Sequence, residues 1–565
     1  MINEFFRHCH SDCLQIITDF FNIVLNTGYI PTEWCLGIIC PLYKNKGSVT
    51  DPDNYRGITL LSCTSKLFTA CLNHRLSKYV EDNILGEEQA GFREGYSTID
   101  HIFVLQLVIE LYQSVHKRVY CAFIDYRKAF DYVSRPLLWQ KLLSYDINGK
   151  FLKVIQNLYS KAKSCIKKEN LMSDYFLCNI GVRQGDNLSP LLFALFINDF
   201  TNYVGTSYHG LNIANTCYPS LNDEDIVLLK LFVLLYADDT IILSENEREL
   251  QTALDTVHKY CELYKLTVNI SKTKIIVFSR GKVRRFPTFY YGDSIVEVVS
   301  DYVYLGVTMN YNNTFVKAIK KQLDQGRKAQ FAMLVKARKL MLPVDIQCTL
   351  FESLVFPVLL YGCEVWGFHS SNMLEIFYRK FLKKLLNLRP STPNCMIYGE
   401  VGKMPLQVNI DKQMINYWLR LLNKEESTLA YIIYKISLNL FSRDIYKAKW
   451  LCKIKCVLDN CGLSYIWLHQ ENINTKQCKL LIHNQIEDIA LHSWFIDMSS
   501  SSMCISYRLY KKHLNFERYL TNSNYRDRIS LTKFRCANSK LPVYDQMYMY
   551  ATDKCTLCDL HERGD

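Results

Sequence analysis

Three carboxylates are the residues best placed to do chemistry. The segment VYCAFID (119–125) is an apolar run bounded by polar residues, short enough for a buried strand, and it ends on Asp125. The segment LFVLLYADDTIILSE (231–245) has an apolar, β-rich run on each side of Ala-Asp-Asp, which predicts a hairpin with Asp238 and Asp239 at its tip. Adjacent carboxylates repel and raise one another's pKa, unless a divalent cation favours both ionised forms. Aspartate oxygens suit Mg²⁺ or Mn²⁺ and not zinc. With Asp125 from a neighbouring strand, the set could hold two ions about 4 Å apart, which activate an attacking hydroxyl and stabilise a leaving pyrophosphate. Asp-Asp at a hairpin tip is also ordinary turn chemistry. Taken alone, the pair does not decide between a metal site and a turn.

Other elements must position these groups. After Asp125, Ser134 can cap a helix whose first turn tolerates Pro136. Upstream, Leu14, Ile17, Phe20, Phe21, Val24 and Leu25 recur at helical intervals over Ser11–Thr27, with Gly28 and Pro31 closing the helix, and Leu36–Tyr43 reads as a strand. Helical spacing returns over 60–85. Gly86, Gly91 and Gly95 then break the chain before a helix from about Thr98 to Gln113. Strand and hairpin patterns follow to about residue 310. In GVRQGDNLSP (181–190), Gly181 and Gly185 let backbone approach a substrate, and Ser189 and Pro190 serve as cap and first turn of the apolar helix LLFALFINDF. A glycine-bounded turn before a core helix explains those residues but leaves Arg183 and Gln184 without a task. Residues 315–388 are helical, polar and basic, with breaks at Pro343 and Pro357, and the remainder is mixed, helix-rich and full of tyrosine.

A chain of 565 residues exceeds what one core supports, so several lobes are expected. Hydrophobic residues at 49% against 22% charged exclude a disordered chain. The net charge of +12 fits a polyanionic partner but fits equally a soluble protein that is merely basic. The 22 cysteines sit mostly singly in apolar stretches, which suits a reducing compartment. Glu4, Arg7 and Asp12 interrupt any secretory core, and no window reaches the ~18 uncharged apolar residues of a membrane span. A soluble cytoplasmic or nuclear protein with no membrane partner is expected.

The segments FIDYRKAFD (123–131), GVRQGDNLSP, YADD (236–239), VNISKTK (268–274) and YLG (304–306) occur in the order of the palm motifs of reverse transcriptases. With YKNKG (43–47), NYRGITLL (54–61) and EEQAGFREGYST (87–98), the chain resembles the polymerase of a non-LTR (LINE-type) retrotransposon. The resemblance implies an α+β, right-hand polymerase: an N-terminal helical extension (1–35), fingers and a palm with an antiparallel sheet (36–310), a helical thumb (311–400) and a helix-rich C-terminal region (401–565). It implies RNA-directed DNA synthesis, with two Mg²⁺ (or Mn²⁺) on Asp125, Asp238 and Asp239, an RNA template, a DNA or RNA primer and deoxynucleoside triphosphates. Phe130, five residues after Asp125, matches the aromatic that excludes a ribose 2′-hydroxyl, and Asp131 beside it reads as a helix-start residue. Gln184 would meet nucleotide or template, and Lys44 and Arg56 match cations that clamp the triphosphate. Lys272 matches a lysine that protonates pyrophosphate, with Lys274 as a near competitor.

Eight basic residues and one acid between Lys317 and Lys339, and Arg379, Lys380, Lys383 and Lys384 further on, resemble a thumb that tracks phosphates. Cys555 and Cys558, with His561, resemble the start of a zinc knuckle but supply at most three of four ligands. The endonuclease domain usually joined to such polymerases is not in this sequence, so nicking activity would come from elsewhere. A catalytically inactive remnant that only binds nucleic acid is the alternative. A telomerase-like or group II intron-like polymerase, which shares the palm, ranks lower.

Overall fold

The computed structural model describes residues 3–45, 47–208, 210–213, 230–231, 233–281, 287–521 and 524–536. The chain divides into two compact units, 1–305 and 306–565.

In the first unit, the helix Ser11–Thr27 ends where Gly28 turns left-handed (φ 73°) and its N–H caps the Val24 carbonyl. The Gly28 carbonyl accepts from Asn157 Nδ2 at 2.9 Å, and a Cβ on residue 28 would sit 3.3 Å from that nitrogen. Val24, Trp34 and Phe68 carry this segment into the common core. Two strands follow, β1 (Leu36–Tyr43) and β2 (Tyr55–Leu60), paired antiparallel, and β1 pairs parallel with β4 (Lys163–Lys168). The helical pattern expected over 60–85 begins at Cys63, because the NYRGITLL segment forms β2. Ser97 and Asp100 form a reciprocal capping box at the start of the helix Thr98–Ser114, which is buried along almost its whole length.

The six-stranded second sheet has at its centre β3 (Val119–Ile124). Antiparallel to β3 on one side lies β6 (Asp239–Ser244), whose other neighbour is β5 (Val233–Tyr236). On the other side lies β7 (Lys274–Phe278), then β9 (Ser294–Val298) and β8 (Phe289–Tyr291) at the edge. Every β3 side chain is buried. Tyr120, Ala122 and Ile124 join a core with Val257 and Tyr260, and Phe123 stacks on Tyr302 with ring centroids 4.5 Å apart.

The stretch expected as strands and hairpins also holds helices Gly149–Ser160 and Glu247–Tyr264. In the second of these, Leu250, Leu254, Val257 and Cys261 repeat in steps of three and four, and Asn246 caps the first turn. Ser134 holds the cap position before Arg135–Ser144 without a side-chain bond. The helix Ser189–Ile197 is capped at Leu188, while the Ser189 hydroxyl pairs with Tyr159 OH at 3.1 Å.

The second unit is helical over most of its described length. The basic helix Val316–Lys339 is followed by Val344–Leu350, a π-turn at Phe351–Val355, and a short helix carrying Pro357 in its first turn. Phe351 stacks on Phe381 at 4.0 Å. Further on, Glu400, fully buried in the helix Asn394–Val401, accepts from Arg535 Nε at 3.1 Å and Nη2 at 3.0 Å and from Tyr507 OH at 3.0 Å. No helix of the described residues is long and apolar enough to cross a membrane. No disulfide joins the described cysteines.

Candidate active site

Asp125 stands one residue beyond β3, and Asp238 and Asp239 lie where β5 turns into β6. The turn is tight because Asp239 pairs directly with Tyr236, leaving only Ala237 and Asp238 to reverse the chain, with Ala237 in the left-handed region at φ 58°. Since Thr240 pairs with Ile124, the register brings all three carboxylates to one end of the sheet.

The VNISKTK segment laces Asp125 in place. The Asn269 N–H donates to the Asp125 carbonyl at 2.7 Å, and the Asp125 N–H donates to Thr273 Oγ1, which is fully buried, at 3.2 Å. Lys272 Nζ lies 3.3 Å from Asp125 Oδ2, whereas Lys274 pairs with Glu297 of β9 at 2.9 Å.

Burial pushes the Asp238 carboxyl above its usual range, and Asp125 adds to the effect against Arg56 and Lys272. Burial first, and then the charges of Asp238 and Asp125, lift Asp239 to about 6, with Lys272 opposing. Among the described residues no three His, Cys, Asp or Glu side chains converge as a ligand set. The donor chemistry nevertheless fits a hard divalent cation: oxygen donors that repel one another, which such an ion would relieve.

The nucleotide-binding candidates lie on the same unit. Phe130 is half-buried, stacked on Phe193 with centroids 4.5 Å apart and met edge-on by Phe92 at 6.3 Å. Gln184 donates through Nε2 to Asp131 Oδ1 at 2.7 Å. Asp131 is thus more than a local helix-start residue, although it does lie in the 3₁₀ turn Ala129–Tyr132. Arg183 turns inward and donates to the Trp34 carbonyl at 2.9 Å, a structural task. Lys44 Nζ is bonded to the Asp53 carbonyl at 2.8 Å, and its charge is felt by Asp131. Arg56 is exposed on β2, and its charge is felt by Asp238. Cys555, Cys558 and His561 lie outside the described residues.

Thr273, Asn269 and Gln89 were not singled out by sequence. Gln89 accepts from the Ala237 N–H at 3.3 Å across 148 positions, a separation that no local pattern encodes. In the second unit, Arg379, Lys380, Lys383, Lys384, Asn387 and Asn394 line a cleft of about 670 Å³.

A central strand ending on one carboxylate, beside a hairpin that turns on two more, offers oxygen donors of the kind that metal-assisted phosphoryl chemistry uses. Residues 43–309, a little under half of the chain, match the family described as reverse transcriptase (RNA-dependent DNA polymerase). It is 24% identical over 420 residues to a probable RNA-directed DNA polymerase from transposon BS of Drosophila melanogaster, covering 73% of this chain and 44% of that protein. It is 27% identical over 417 residues to a Pol polyprotein of a type-1 retrotransposable element R2 from Popillia japonica, covering 70% and 55%. The chain spans about half the length of the curated relatives it matches. A solved apo telomerase from Candida tropicalis superposes over 78% of this chain and 73% of its own at 12% identity and a TM-score of 0.35, too loose to carry any argument.

Proposed function

We propose that this chain is a right-hand polymerase that copies an RNA template into DNA by extending a primer 3′-hydroxyl with deoxynucleotides. The observation that supports it is the gathering of Asp125, Asp238 and Asp239 at one end of the sheet, with Asp239 raised to about 6 by burial and by its two neighbours. These three carboxylates would hold Mg²⁺ or Mn²⁺. Two such ions, when bound, supply the charge that activates the hydroxyl and neutralises the leaving pyrophosphate.

The protein's own groups do the rest. Lys44 and Arg56 bind the triphosphate from the β1–β2 edge, as fixed charge against a polyanion. Phe130, braced by Phe193, lies under the incoming sugar and leaves no room for a 2′-hydroxyl. Asp131 holds the Gln184 amide by its nitrogen, which leaves the Gln184 carbonyl oxygen for nucleotide or template. Lys272, beside Asp125, delivers a proton to the departing pyrophosphate. Fingers and palm occupy 36–310, the thumb 311–400, and the basic cleft around Arg379 and Lys383 grips backbone phosphate. Primer extension on an RNA template with deoxynucleotides and Mg²⁺ tests the reading. Wild type extends and Asp239→Ala does not; equal product from both overturns it.

A further inference from the structure

The EEQAGFREGYST segment has no task in this chemistry, yet it is fastened to the metal-holding turn. Its backbone runs beside β5, with Leu235 N–H donating to the Glu88 carbonyl at 2.8 Å and Ala90 N–H to the Leu235 carbonyl at 2.9 Å. Gln89 is only 1% exposed, and its Oε1 accepts from the Gly91 N–H at 2.9 Å and the Ala237 N–H at 3.3 Å. Its Nε2 is buried without a partner. Such a side chain is kept for its carbonyl, since an apolar residue would leave two backbone N–H groups unmet. A Cβ on Gly91 would stand 2.2 Å from Ala237 N, so only glycine lets the loop come this close. Arg93 ties the loop from behind, donating to the Gly86 and Gln89 carbonyls at 2.7 and 3.0 Å and to Glu81 of the helix Cys63–Asn83 at 2.8 Å.

The next two residues after Ala237 are Asp238 and Asp239. Ala237 is left-handed, a conformation that alanine holds only when its surroundings fix it, and the two carboxylates after it repel one another. Left unpinned, the turn would relax by splaying them apart.

We propose that Gln89 is a positioning residue for divalent-ion binding: its buried carbonyl sets the Ala237 peptide, and through it the attitude of Asp238 and Asp239 toward Asp125. This rests on the polymerase reading above. The role is separable from plain structural support, because support alone changes stability and not metal affinity.

The test uses the full chain. Mn²⁺ binding is followed by electron paramagnetic resonance without nucleic acid, beside the Mg²⁺ concentration for half-maximal primer extension and the melting temperature in EDTA. Gln89→Met, which keeps the shape and removes the acceptor, weakens Mn²⁺ binding and shifts half-activation by about ten-fold, as loss of an outer-sphere support does. Gln89→Glu, which keeps both lone pairs, binds as wild type or tighter. If Gln89→Met does not fold, Gln89→Asn, which draws the carbonyl back by one methylene, gives the same readout. Wild-type Mn²⁺ affinity in Gln89→Met or Gln89→Asn, whatever the melting temperature, overturns the proposal while leaving the site intact. Mn²⁺ binding that Asp239→Ala leaves unchanged overturns the metal-site reading itself and Gln89's role with it.

Discussion

Asp239→Asn removes one charge from the turn and leaves its size and shape unchanged, so it isolates what burying an ionised carboxylate beside two others costs the fold. A shift from 3.8 to about 6 is worth about 3 kcal/mol at face value. Solvent screening of a half-buried carboxylate reduces that to about 1–2 kcal/mol. The folded pKa lies above the unfolded one, so between about pH 4 and 6 the folded state holds a proton that the unfolded state has lost. The penalty is therefore absent at low pH and complete above about pH 6. In EDTA at pH 7.5, Asp239→Asn should raise the melting temperature of the first unit by about 3 °C, an advantage that fades on acidification toward pH 4. Mg²⁺ at ten times its Kd should then stabilise wild type by about 1.4 kcal/mol and the variant by much less. Differential scanning calorimetry reads all of this. A variant no more stable than wild type in EDTA at pH 7.5, or equal stabilisation of both by Mg²⁺, would refute the reasoning.

Phe130→Val removes the ring stacked on Phe193 and should lower the deoxy-over-ribo ratio of kcat/KM by at least about ten-fold; competitive incorporation assays check this, and an unchanged ratio removes Phe130 from that role. Replacing Arg379, Lys380, Lys383 and Lys384 together by alanine should weaken nucleic-acid binding alike for all sequences. It should also make the slope of log affinity against log salt shallower by about 3, and an equal slope in fluorescence-anisotropy titrations would exclude these residues from phosphate contact.

Much of the first unit was legible because its elements announce themselves locally. Leu36–Tyr43 and Val119–Ile124 are apolar runs of strand length, and both form strands. The Ala-Asp-Asp turn falls between two β-rich runs, and the hairpin forms there. Glu247–Tyr264 is amphipathic and capped, so its pattern was present but was absorbed into an expected run of strands. Other features were beyond local reading. Ser189 was expected to cap a helix, but a tyrosine from elsewhere in the fold claims its hydroxyl. Lys272 and Lys274 are two positions apart, and only the pairing of β7 with β9 sends Lys274 to Glu297 and leaves Lys272 beside Asp125. The bond from Gln89 to Ala237 spans 148 positions and depends on the assembled sheet.

The Glu400–Arg535 pair bears on how the second unit is made. A carboxylate with no exposure is costly to bury before its partner is present, and Arg535 is synthesised 135 residues after Glu400. At ribosomal rates that is a wait of roughly 7–30 s, during which the helix Asn394–Val401 cannot bury its acid at a gain. A nascent chain released before Arg535 would present Glu400 to solvent, and an open helix face with it, which is the kind of surface that chaperones hold.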